Sequence, residues 1–229
     1  MLILSLETST ESGSCALYYD GRVIERDCPL GRSHSETLLP LVRELMLEAG
    51  VKFSQLDAIA FGAGPGAFTG LRVACGVAQG LAVAGDLPLI PVTSLETMAV
   101  MAGGEHVLAL LDARMGEVYA ATYRVDGVVA VLQGEIRVSA PDDVLLPEGE
   151  GWMACGNALT AYPSLRERII AVNRGFRPEI LPTAAVVARI AAIRAARGEG
   201  IDPAKAAPLY IRDKVAKTVA ERLGEGGKA

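Results

Sequence analysis

One pattern of strands and turns occurs twice in this chain, and it narrows the fold to few choices. Residues 2–6, Leu-Ile-Leu-Ser-Leu, form a short apolar run. A polar turn follows at 7–13, then a returning strand at 14–19, the pair Asp20-Gly21, and a third strand at 22–27. Asp-Gly between two strand-like runs is a strong hairpin signal, because both residues tolerate a left-handed backbone. From residue 107 the same grammar returns. An apolar run at 107–111 leads to a turn at 112–116, a strand at 117–124, Asp126-Gly127 and another strand. Helical patterns follow each meander. The repetition predicts an internally duplicated α/β architecture. Gly103-Gly104 is the expected boundary, giving domains 1–103 and 104–229.

The chain's 229 residues suit two small domains of roughly 100 residues each. An apolar fraction of 51% with 21% charged residues supplies core material and argues against disorder. A net charge of −5 is the wrong sign for a surface that grips nucleic acid, so any role on RNA is expected to be indirect. Cys15, Cys28, Cys75 and Cys155 form no C-x-x-C pair, which predicts reduced thiols in a cytoplasm. The first residues lack the pattern of a signal peptide. No uninterrupted apolar run reaches ~18 residues, so no membrane span is expected.

Ser33, with Glu36 three residues on, predicts a capping box and a helix to about Ala49, ended by Gly50. On it, Leu38, Leu41, Val42, Leu45 and Ala49 make one apolar stripe, and Leu39, Val42 and Met46 a second beside it. A surface helix needs one stripe for its own core. Two stripes fit either a fully enclosed helix or one that also meets a partner. A strand is expected at 56–61, a glycine-rich loop at 62–70 and a second helix to about residue 84. That helix has few polar positions, and Gly76 and Gly80 are spaced for close helix approach. A strand at 89–92 and a helix from Thr93 or Ser94 follow. A late helix at 183–197 is expected to turn Arg189, Arg194 and Arg197 to solvent, and 224–229 to fray.

The loop Gly62-Ala63-Gly64-Pro65-Gly66-Ala67-Phe68-Thr69-Gly70-Leu71-Arg72 carries the most information. Glycines between a strand and a helix let backbone N–H groups approach an anion. A Walker A loop would need Lys where Leu71 stands. Gly62, Gly64 and Ala67 fit G-x-G-x-x-A, but Thr93 and Ser94 stand where an acidic residue should follow the next strand, and Glu96 comes slightly late. The loop is therefore either a tight packing turn or a candidate nucleotide or anion loop formed by Glu7, Thr8, Gly64, Gly66 and Thr69. His34 and His106 are isolated, and no metal site or catalytic triad is legible.

The same loop resembles the signature of the TsaB (YeaZ) family. Leu4–Ser9, His34–Pro40, Pro91–Glu96, Asp112–Tyr119 and Leu209–Arg212 resemble further family segments, in order, over nearly the whole chain. The resemblance implies the fold of the actin, sugar-kinase and Hsp70 superfamily (ASKHA, ribonuclease H-like): two related α/β domains facing a cleft. It implies a non-catalytic scaffold for threonylcarbamoylation of adenosine 37 in tRNA. Such a subunit pairs with the catalytic relative TsaD, helps recruit the ATPase TsaE and forms homodimers, all without a cofactor. The helices carrying Leu39, Val42, Met46, Val73, Val77 and Gly80 are the implied contact. The metal-holding histidine pair of TsaD would fall here on Ser94 and Met98, neither a plausible ligand. Glu7 and Asp112 occupy the turns of the superfamily's phosphate-binding carboxylates. An ATP-dependent small kinase and a glycoprotease-like peptidase are the competing readings.

Overall fold

The computed structural model describes residues 1–172 and 175–212. The expected frayed end at 224–229 lies outside the described residues.

Two five-stranded sheets are built to one plan. The first contains β1 (Leu2–Glu7), β2 (Ser14–Tyr19), β3 (Arg22–Asp27), β4 (Ala58–Gly64) and β5 (Leu89–Thr93) in the order β3-β2-β1-β4-β5. The second contains β6 (His106–Arg114), β7 (Glu117–Asp126), β8 (Val129–Ser139), β9 (Trp152–Cys155) and β10 (Gly175–Arg177) in the order β8-β7-β6-β9-β10. In both, the first three strands are antiparallel and the last two join in parallel. The expected duplicated α/β plan is thus present strand for strand.

Period-two alternation assigns the faces. In the first sheet Leu4, Leu6, Ile59 and Phe61 point to α1 (His34–Glu48) and α2 (Phe68–Gly85). Ile3, Ala58, Ala60, Ile90 and Val92 point the other way, onto Val187, Ile190 and Ala191 of α6 (Ala184–Ala196). In the second sheet Val107, Ala109 and Leu111 meet Leu95, Met98 and Ala99 of α3 (Ser94–Ala102). Leu108 and Leu110 meet the short α4 (Ala158–Ala161) and α5 (Pro163–Ala171) through Leu159, Leu165 and Ile169. Helices α3 and α6 therefore form an inner layer between the sheets.

Several local expectations change. Ser33 stands at the N-cap of α1 without a cap bond; its hydroxyl pairs with that of Ser35 at 2.6 Å, so no capping box forms. The predicted strand at 56–61 is displaced to 58–64, because Leu56 closes a 3-10 turn. Helix α2 starts inside the glycine motif, at Phe68. Arg194 does not face solvent: its guanidinium grips both oxygens of Glu96 at 2.7 and 2.8 Å and the Pro91 carbonyl at 2.6 Å. By length and composition alone, α2, at mean hydropathy 1.2 over 18 residues, could cross a bilayer. Its Leu71, Ala74, Cys75, Ala78 and Ala82 are instead buried, all but Leu71 in the core cluster of the first sheet.

Candidate functional site

The sequence-predicted site residues fall in two places, the outer face of α1 and α2 and the cleft between the sheets. On α1, Thr37, Leu38, Val42 and Leu45 are buried, so the core stripe is satisfied. Leu39, at 50% exposure, and Leu47, at 71%, stay in solvent, with Met46 half-buried beside them. On α2, Val73 and Val77 are half-buried on the rim of the core, while Val83 is 71% exposed. A Cβ added at Gly76 or Gly80 would meet nothing within 4 Å. Gly76, Gly80 and Val83 recur at i, i+4 and i+7, one helical face. Of the six residues singled out from sequence, Leu39, Met46, Val73, Val77 and Gly80 line or flank this open face, and Val42 lies beneath it. Leu47, eight residues after Leu39, was readable from that spacing, and Val83 from its spacing to Gly76 and Gly80.

The glycine loop is filled by its own chain. A Cβ on Gly62 would overlap the Glu7 carboxylate, one on Gly66 would sit 2.5 Å from the Ser9 carbonyl, and one on Gly70 would overlap the Thr8 carbonyl. The β1–β2 turn thus lies in a groove made by three glycines spaced four apart. Thr8 donates its hydroxyl to the Gly70 carbonyl at 2.7 Å, and the Ala67 N–H donates to the Ser9 carbonyl at 2.7 Å. Gly64, at φ +105°, abuts Leu71 and the Leu209 carbonyl. Glu7, Thr8, Gly64 and Gly66 are brought together, while Thr69 is exposed on the first turn of α2. Burial pushes the Glu7 carboxyl up, above its ordinary value. One of its oxygens accepts from the Ser9 N–H at 2.6 Å; the other has no hydrogen-bond partner among the described residues.

A cavity of about 200 Å³ lies in the cleft, between the β1–β2 turn, the start of α2, the β6–β7 turn and residues 209–212. Asp112, the counterpart of Glu7, is occupied. It accepts from the Arg114 N–H at 2.9 Å and the Tyr162 hydroxyl at 2.8 Å. Ser94 and Met98 are fully buried in the core, and Gly156 packs so tightly on Met98 that a Cβ there would overlap it. Among the described residues no group of three His, Cys, Asp or Glu is placed to hold a metal ion. His34 meets the Thr10 carbonyl at 3.0 Å and packs on Gly13; His106 lies tilted against Trp152 with ring centres 5.0 Å apart. All four cysteines are free and buried, and burial pushes the Cys15 and Cys155 thiols up to about 12.

This geometry matches proteins of known sequence and structure. The TsaB tRNA threonylcarbamoyladenosine biosynthesis protein of Escherichia coli K12 is 38% identical, over 94% of this chain and 96% of its own length. The protein of the same name from Haemophilus influenzae is 34% identical over 94% and 95%. The chain belongs to the TsaB (YeaZ) family. The structure of YeaZ from Pseudomonas aeruginosa superimposes with a TM-score of 0.79 at 38% identity, covering 91% of this chain and 99% of that one. A second Pseudomonas aeruginosa structure, of an uncharacterized protein with similarity to peptidase YeaZ, gives 0.81 over 92% and 99%. The family model described as TsaD, tRNA N6-adenosine threonylcarbamoyltransferase, also matches, over residues 29–218. The match takes in β4, β5 and all five strands of the second sheet.

Proposed function

We propose that this chain is a cytoplasmic, non-catalytic scaffold subunit in the synthesis of threonylcarbamoyladenosine at position 37 of tRNA. In this reading it pairs through α1 and α2 with a TsaD-type catalytic subunit, helps recruit a TsaE-type ATPase, and forms a homodimer through the same face when alone. The open face of α1 and α2 carries the proposal. Large apolar side chains are rarely left in a row beside bare glycines unless something covers them. Helices of 15 and 18 residues present roughly 22 and 27 Å of length. That is enough for much of the ~1,600 Å² a stable interface buries. The names of the full-length relatives supply the pathway. The occupied Asp112, the glycine groove filled by residues 7–9 and the packed Ser94 and Met98 favour a scaffold over a kinase or a peptidase.

Gly80→Arg is the cleanest test, because the space beyond Gly80 is open and the substitution leaves the chain's own packing intact. Mixed with a purified TsaD-type subunit and followed by light scattering, the parent is expected to form a complex and Gly80→Arg to lose it by about 100-fold or more in affinity. Val77→Glu should act in the same direction. An unchanged complex with both variants rejects this face. Synthesis of the modified adenosine from purified components, with the chain present or omitted, tests the pathway itself.

A further inference from the structure

Residues after α6 return along the first sheet and then cross to the second. Ile201 pairs with Leu89 through bonds of 2.8 and 2.9 Å. Gln79, on α2, donates to the carbonyls of Pro203 at 2.9 Å and Ala206 at 3.1 Å. The Leu209 N–H donates to the Ala63 carbonyl at 2.7 Å. Tyr210 then lies against Phe68, ring centres 5.6 Å apart, and accepts at its hydroxyl from Arg72 Nε at 3.0 Å. Arg72 in turn stacks 3.8 Å from the centre of the Phe68 ring. Up to this point every partner belongs to the first sheet or α2. One residue later Ile211 packs into the core of the second sheet. Arg212 donates to the Ala113 carbonyl at 3.1 Å and to the Arg114 carbonyl at 3.4 Å, and pairs with the Glu117 carboxylate.

The segment that Arg212 grips is a strained one. Arg114 and Met115 have φ of +58° and +56°, in the left-handed region. That conformation costs a non-glycine residue roughly 1–2 kcal/mol. Of the two carbonyls that Arg212 binds, one immediately precedes the left-handed pair and the other lies between its two residues. The direct bridge between the cleft's walls is Glu11 to Arg114 at 3.5 Å, and both side chains are exposed, so it contributes little. The Arg212 side chain is only 15% exposed and is bonded to four groups of the turn, the Met115 sulfur at 3.4 Å included.

We infer that Leu209–Arg212 is a clasp that holds the two walls of the cleft together and keeps the β6–β7 turn in its left-handed form. The cleft it closes is about 200 Å³, below the roughly 300–1,000 Å³ of usual small-molecule sites. The inference stands apart from the partner face on α1 and α2.

Amide hydrogen exchange on the full chain tests it. Arg212→Ala is expected to raise exchange at residues 112–117 and 8–11 by about tenfold or more, with β1 and residues 106–111 of β6 unchanged. Tyr210→Phe, which removes only the acceptor for Arg72, should raise the same segments by a smaller factor without risk to the fold. Arg212→Lys, which keeps the charge and loses the fork, should fall between them. If the turns exchange within about twofold of the parent in folded Arg212→Lys and Tyr210→Phe, the clasp is rejected. An equal rise spread over both sheets rejects it too, since that reports lost global stability.

Discussion

The two halves share a strand order and differ in what is laid over it. Outside the first sheet stand two long helices whose outer sides are left open. Outside the second, the counterparts are a 3-10 turn at Pro141–Asp143, four-residue α4 and nine-residue α5. A sheet needs only its own apolar face covered. The short helices of the second half achieve that with Leu159, Leu165 and Ile169, all buried. The first half carries more helix than its core requires, and the surplus is the exposed face. Duplication thus gave one scaffold two uses: an outward surface in the first half and one wall of a cleft in the second.

The halves meet at the seam of α3 and α6, and the strongest prediction concerns it. Glu96, 8% exposed, and Arg194, 28% exposed, form a forked ion pair between these helices. Removing one partner leaves an uncompensated charge in a poorly solvated place. Arg194→Ala or Glu96→Ala is expected to cost about 3–5 kcal/mol, read by chemical denaturation. Glu96→Leu with Arg194→Met should recover part of that loss, because two apolar side chains leave no stranded charge. Calorimetry sharpens the comparison of halves. With the pair broken, the chain should begin to melt in two steps; a single sharp transition would show that other contacts couple the sheets.

Next in size are the glycines of α2, which separate inward from outward faces within one helix. Gly70→Ala drives a methyl into the Thr8 carbonyl, where backbone must move, and should cost about 1–3 kcal/mol or more. Gly76→Ala and Gly80→Ala face open space on a regular helix and should each stabilise the isolated chain by up to about 1 kcal/mol. The sign reversal along a single helix is the observable, measured as melting temperature. For a chain of this size, each kcal/mol moves the midpoint by about 2–4 °C. If Gly80→Ala destabilises the chain at concentrations low enough for any homodimer to have dissociated, the face is covered by its own chain and the two faces of α2 do not differ.

These residues also show where sequence stops being sufficient. Both meanders were readable because Asp-Gly turns and alternating apolar residues are local signals. The occupant of the glycine groove was not, because Gly70 and Thr8 are 62 positions apart and nothing local marks which turn will lie there. An Ala-rich helix does not announce which sheet it covers, so the return of α6 to the first sheet and the burial of Arg194 had no signature. Val42 sits on both apolar stripes of α1, and only packing could assign it to the core. Leu209–Arg212 was visible as a motif, while its crossing from one half to the other depends on chain path alone.

The smallest effect compares the two turn carboxylates. Asp112, its side chain only 9% exposed, is met by the exposed Arg114 guanidinium at 3.3 Å and by two hydrogen bonds, so Asp112→Asn should lower stability at neutral pH by about 0.5–1.5 kcal/mol, the net worth of a typical hydrogen bond. Glu7 is in the opposite situation. Its carboxyl is buried, one oxygen is unpartnered, and its titration is pushed up from the ordinary 4.5. A raised carboxyl in the folded state holds its proton to higher pH than in the unfolded chain. Its contribution to stability is therefore complete below about pH 4.5 and is lost as pH rises through the folded value. Gln at position 7 keeps the acceptor for the Ser9 N–H and has no proton to lose. Glu7→Gln should match the parent near pH 4.5 and melt progressively higher than the parent towards pH 8, while Asp112→Asn melts lower there. A constant offset between Glu7→Gln and the parent across that range would mean that Glu7 is ionised in the fold and balanced by a partner, and the two turns would then be alike.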